Sequence, residues 1–337
     1  MRAEVGLGTL GSWRGWREGG RRFGVHLRTG GALGTGLTCL WFLPSPLAGE
    51  WALWPPDALR GGICTAEGGC GTGLAGGATD SRGTSMQTEM RERFVDLWEK
   101  HFPKSELPIA FYYTEEGPAE GAGRAGGLAA CVIANLPRAR KGEALWLDTE
   151  AIGCPGGRRY LGFSQELRPG FEHFLSCGVP GVMAGERYKK TPELVKELMR
   201  QQPPMQAPAR WIVFKRWDKL GEADDPAAVV FLARPDALSG LFTLANFDAS
   251  DPQAVIAPFC AGCASIVQHP YVEGRGARPR AVLGMFDVSA RPYVPAETLS
   301  FAAPWPLFER MVANMEESFL ITDSWKKVRA RMAKAGE

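Results

Sequence analysis

The chain has 337 residues and a formal net charge of +2, from 39 Lys and Arg against 37 Asp and Glu. Beyond residue 85 the two signs balance at 31 each and no basic run stands out, which excludes the concentrated positive face a nucleic-acid partner requires. No segment after Met86 is long and apolar enough to span a bilayer, so a membrane-embedded role is excluded as well.

Residues 1–85 differ from the rest. They hold 21 of the 42 glycines and 5 of the 11 tryptophans, with no Lys, Asn, Gln or Tyr. Natural flexible segments are rich in Gly but also in Ser, Pro or Lys, and poor in Trp. The missing residues are largely those with A/T-rich codons. We therefore expect a non-native or disordered extension over 1–85, with Met86 as the true start and a single domain over 86–337. The rival is an export signal: Arg21 and Arg22 precede the uncharged run 29–49. Its glycines, Pro44 and Pro46 break that run. Of the eight cysteines, Cys39, Cys64 and Cys70 belong to the extension. Five remain, an odd number that forbids full internal pairing, and a reducing cytoplasm is the expected compartment.

In chain order, Phe94, Leu97, Trp98 and Phe102 have the spacing of one helical face, and Pro103 stops that helix. Residues 107–113 read as a strand, 115–127 as a Gly/Ala/Glu-rich loop, and 128–136 as a helix ending at Pro137, with Cys131 packed inside it. A second strand over 143–148 leads into the Cys154 turn. Residues 164–176 read as partly helical. Thr191-Pro192-Glu193 opens a helix to Gln201, with Thr at the N-cap and Pro at the first helical position. Strands follow at 211–214 and 228–233, a helix at 235–246, a strand at 280–288, and helices at 304–319 and 322–334. In the last helix Trp325, Val328 and Met332 share a face. The order is irregular, so the predicted fold class is α+β, a mixed sheet with several flanking helices.

Cys260-Ala-Gly-Cys263 places two thiols three residues apart, with Gly262 free to turn the backbone. Such a pair can chelate a metal, ligate an iron–sulfur cluster or form a disulfide. A four-ligand site needs Cys154 and Cys177 as well. The competing reading is plain apolar packing, the usual fate of free cysteine. The second candidate is Gly153-Cys154-Pro155-Gly156-Gly157-Arg158-Arg159-Tyr160, a tight turn with free backbone N–H groups and nearby arginines that suit an anion. Its rival is a structural turn. Arg187, in Gly185-Glu186-Arg187-Tyr188, is a weaker candidate. Asp287 and Arg291, in the loop after a strand, are candidate ligand groups or a structural bridge. His101, His173 and His269 form no metal-binding spacing, and no Gly-x-Ser-x-Gly elbow is present.

Residues 151–163, 174–178, 185–190, 238–242, 261–268 and 284–292 together resemble the prokaryotic family known as domain of unknown function 169, the uncharacterised ArCR proteins. The resemblance spans about residues 86–334. It implies a bacterial or archaeal cytoplasmic protein beginning near Met86, and it centres on Cys154 and Cys263. It brings no established activity, cofactor or catalytic residue. The expected protein has a cysteine- and glycine-lined site. Cys154, Cys177, Cys260 and Cys263 would hold zinc, another soft metal or an iron–sulfur cluster. Otherwise Cys154 would act as a thiolate on a small anion held by Gly156, Gly157, Arg158, Tyr160, Arg187, Asp287 and Arg291. The alternative is a small-molecule binding module or partner subunit whose cysteines only pack. Convergence of the four sulfurs separates the two readings.

Overall fold

Short, largely continuous apolar runs build the sheet: successive side chains of a strand point to opposite faces, and here both faces are covered. The computed structural model describes residues 81–118 and 131–334. All lie in the second of two units into which the chain divides, residues 75–337. Seven strands form one mixed sheet: β1 (Ile109–Thr114), β2 (Leu145–Leu147), β3 (Trp211–Arg216), β4 (Ala228–Ala233), β5 (Val255–Ile256), β6 (Ala281–Gly284) and β7 (Leu299–Pro304), in the order β2-β3-β1-β4-β7-β6-β5. Every pairing is antiparallel except β5 with β6. With helices on both faces this is an α+β fold, as expected.

On one face, Ala110, Val229, Phe231, Phe301 and Ala303 meet helices α1 (Ser81–His101), α6 (Pro235–Ala245), α8 (Trp305–Asn314) and α9 (Asp323–Lys334). Aromatic rings dominate there: Trp98 stacks on Phe102 at 4.3 Å between centroids, and Phe94 meets Trp217 edge-on at 4.9 Å. On the other face Phe111, Phe214, Val230, Val282 and Ala302 meet α2 (Val132–Arg140), α3 (Pro155–Tyr160) and a π-helix, Ala264–Gln268, which runs into α7 (His269–Glu273). Two short helices, α4 (Phe171–Phe174) and α5 (Pro192–Gln201), lie between α3 and β3 in the chain. The Thr191 hydroxyl caps α5 as expected, accepting from the Leu194 N–H at 3.4 Å.

Several boundaries differ from the sequence reading. Helix α1 begins at Ser81, ahead of Met86. Helix α2 runs through Pro137 to Arg140, because Leu136 and Ala139, on either side of the proline, are both buried in the core. That burial offsets a lost backbone bond and a ring clash that together cost about 3 kcal/mol. The Cys154 segment is a helical turn, with Pro155 at the first helical position. Strand β6 ends at Gly284 because Met285 adopts a left-handed backbone, φ +62°. Strands β5 and β7 and the π-helix were not anticipated. The predicted loop over 115–127 falls largely outside the described residues. Among the described residues, no helix is long and apolar enough to cross a membrane.

Candidate thiol site

Three cysteines stand where the chain turns into a helix on the same face of the sheet. Cys131 caps α2 in extended backbone, φ −91° and ψ 126°, and its carbonyl accepts from Asn135 Nδ2 at 3.0 Å. Cys154 caps α3 with nearly the same backbone, φ −80° and ψ 121°, and its carbonyl accepts the Arg158 N–H at 3.0 Å. Cys263 immediately precedes the π-helix. A π-turn inside a longer helix is rare and tends to mark functional sites. All five of its residues are buried.

The Cys260–Cys263 turn is held from the β6–β7 connection. Gly262 N–H donates to Asp287 Oδ2 at 3.0 Å, while Asp287 Oδ1 accepts from the Ser289 N–H at 3.0 Å and its hydroxyl at 2.7 Å. Ser265 Oγ donates to the Gly262 carbonyl at 2.8 Å and accepts the Met285 N–H at 3.4 Å. A Cβ at position 262 would stand 2.9 Å from Ala290 Cβ and 3.3 Å from Met285 Sδ. Only glycine fits that approach, and it brings a thioether against the turn.

Burial dominates the electrostatics. It pushes the Cys263 thiol well up, and Cys131, Cys154 and Asp287 push it further. Cys260 is pushed up to about 12 by burial and then by Asp287. The Tyr160 phenol is also pushed up to about 12, by burial first, with Cys263 and Cys260 adding to the rise against Gln202 and Arg159. At neutral pH Cys260, Cys263 and Tyr160 are therefore protonated and uncharged.

The predicted site residues divide. Cys154, Cys260, Cys263, Tyr160 and Asp287 gather around this turn, with Gly156 and Gly157 in the adjoining helix α3. Cys177 does not join them as a fourth ligand: it is exposed, its thiol 3.5 Å from the Gly178 carbonyl. Among the described residues no group of three or more His, Cys, Asp or Glu is placed to hold a metal ion, so the expected four-thiol chelate is not assembled. Arg158 is spent bracing the chain, its Nε donating to the Ile152 carbonyl at 2.6 Å. Arg187 is exposed in left-handed backbone, φ +58°. Its neighbours do approach the site, since Lys189 Nζ lies 4.1 Å from the Phe259 ring centroid, next to Cys260, and the Tyr188 phenol, pushed up by burial, is also acted on by Ser289 and Asp287. Arg291 does not bridge to Asp287; it clamps the carbonyls of Thr298, Ala296 and Pro295. Sequence reasoning set Cys131 aside as packing and gave no role to Met285, Ser265 or Tyr188. The Cys-Val-Ile start of α2 carried the only available signal for Cys131.

This is an α+β protein in which Cys131, Cys154 and Cys263 each stand near the start of a helix on one face of the sheet. The family model described as uncharacterised ArCR, domain of unknown function 169, matches residues 101–314, and the chain belongs to that family. The match takes in all three clustered cysteines. No curated protein and no solved structure matches the chain.

Proposed function

We propose that Cys263, with Cys131 or Cys154 as the second sulfur ligand, forms a capture site for a soft cation that two sulfur ligands satisfy, such as a monovalent copper or silver ion. The observation that carries this reading is that Cys131 and Cys154 begin helices packed on the same core that buries Cys263, Cys131 itself lying against that core, and that both act electrostatically on the Cys263 thiol. Thiolate and thioether ligands select such ions over hard, hydrated ones, and Met285 Sδ lies beside the same turn. A structural zinc site or a cubane cluster needs four protein ligands, and the described residues offer no group of even three. A pair of thiols meets the smaller demand. Because burial keeps Cys263 protonated, each ion captured displaces a proton, and affinity rises with pH.

The test is silver titration of the reduced full-length chain in a Cys177→Ser background, which removes the exposed thiol. Native mass spectrometry then counts the ions bound. One tightly held ion is expected, lost in the Cys131→Ser/Cys263→Ser variant and accompanied by protection of Cys263 from alkylation. Unchanged stoichiometry and affinity in the Cys131→Ser/Cys154→Ser/Cys263→Ser variant overturns the reading.

A further inference from the structure

The β6–β7 connection that anchors the thiol turn also borders a cleft of about 290 Å³ beside the start of α6. Pro235, Leu238, Met285, Phe286 and Leu299 supply its apolar lining, and Arg291, Glu297 and Thr298 its polar groups. A buried apolar cavity of about 150 Å³ already accepts benzene. Twice that volume admits a ring or a branched chain with a polar head. The Phe286 ring, 52 % exposed, leaves apolar surface uncovered at this cleft.

The charges say what the head should be. Glu297 is matched by Arg234 at 2.7 Å. Arg291 donates at 2.6 Å to the Thr298 and Ala296 carbonyls and at 3.3 Å to Pro295, all neutral acceptors. These bonds fix the guanidinium without cancelling its charge, and among the described residues no carboxylate pairs with it. An apolar concavity with one fixed, unbalanced cation selects an apolar anion.

We propose that this cleft binds a small carboxylic acid with an aromatic or branched aliphatic body, its carboxylate directed to Arg291. The proposal stands whether or not the thiols take a metal.

Calorimetry on the full chain with benzoate, and with neutral benzyl alcohol as its counterpart, tests it. Benzoate is expected to bind saturably and at least about tenfold more tightly than the alcohol, a difference of about 1.4 kcal/mol. Leu238→Trp, which fills the cleft from a half-buried helix position, should abolish binding, and Arg291→Met should reduce benzoate to the level of the alcohol. Arg291 also braces its loop, so Leu238→Trp keeps the test valid if Arg291→Met does not fold. Absence of saturable benzoate binding up to about 10 mM, equal affinity for the two probes, or undiminished binding to Leu238→Trp each overturns the proposal.

Discussion

Replacing Gly284 by alanine tests how the π-helix is held over the sheet. Gly284 is the last residue of β6, and a Cβ there would lie 2.3 Å from Ser265 Cβ, 2.4 Å from Ser265 Oγ and 3.0 Å from Ser300 Oγ. Carbon atoms settle at about 3.5–4.0 Å, so the π-helix must retreat by more than about 1 Å. Ser265 Cβ is fixed to the backbone, and no rotamer change relieves the clash. Overpacking of this kind costs about 1–3 kcal/mol and occasionally more. Displacing the hydrogen bonds from Ser265 to Gly262 and Met285 adds about 1 kcal/mol, giving about 2–4 kcal/mol in all. Urea unfolding followed by tryptophan fluorescence should show a midpoint lower by about 1–2 M. The Gly284→Ala/Ser265→Gly double variant removes two of the three clashing atoms. It should recover at least about 1.5 kcal/mol beyond additivity, although Ser265→Gly alone is destabilising. Retreat of the π-helix also carries Cys263 away from Cys131 and Cys154, so alkylation of Cys263 should accelerate in the single variant. A cost below about 1 kcal/mol, or no recovery in the double variant, refutes the idea that this close approach holds the π-helix.

Two further outcomes concern protons. His101 is held below the ordinary imidazole value of 6.5 by burial and then by Lys100 and Arg329, and His269 by burial. The unfolded chain therefore takes up these protons first. Their contribution to stability is whole above the unfolded value and drains away as pH falls through it toward the folded values. The urea midpoint should drop between about pH 7.5 and about pH 5.5, with a smaller drop in His101→Gln; equal drops in both proteins refute the assignment. Asp287→Asn keeps an acceptor for the Gly262 N–H while removing the charge that helps raise Cys260. The alkylation midpoint of Cys260 should move down yet stay above the ordinary value of 9.0, because burial is the larger cause. An unmoved midpoint means the carboxylate charge does not reach the thiol.

What the sequence revealed depends on whether a signal was local. Thr191-Pro192-Glu193 announces α5 through its own chemistry, and Trp325 and Met332 mark the buried face of α9 at helical spacing. The π-helix has no such mark. Ala264-Ser265-Ile266-Val267-Gln268 is buried on every side, so no polar stripe gives it a period. Gly156 and Gly157 disguise α3 as a turn, since glycine is a poor helix former, and only Pro155 hints otherwise. Strand β7, Leu-Ser-Phe-Ala-Ala-Pro, gives a weak strand signal and ends in a proline whose sequence context favours a helix start. Met285 cuts β6 short through a backbone conformation that an unbranched side chain does not advertise.

The thiols follow the same division. The glycines around Cys154 and Cys263 made those two legible, but that Cys131 joins them and Cys177 does not is set by packing on the sheet. That packing also bears on the chemistry. The surroundings that collect the thiols keep Cys263 neutral, because burial disfavours its charged form and Cys131, Cys154 and Asp287 disfavour it further. An anionic ligand would meet no complementary charge from Cys263, and a hard cation would have to shed its water among apolar side chains. A soft cation supplies the missing positive charge as the proton leaves, so a buried thiolate need never stand alone. This is the physical reason to look for a metal ion at these sulfurs, and to place the search for organic anions at Arg291 instead.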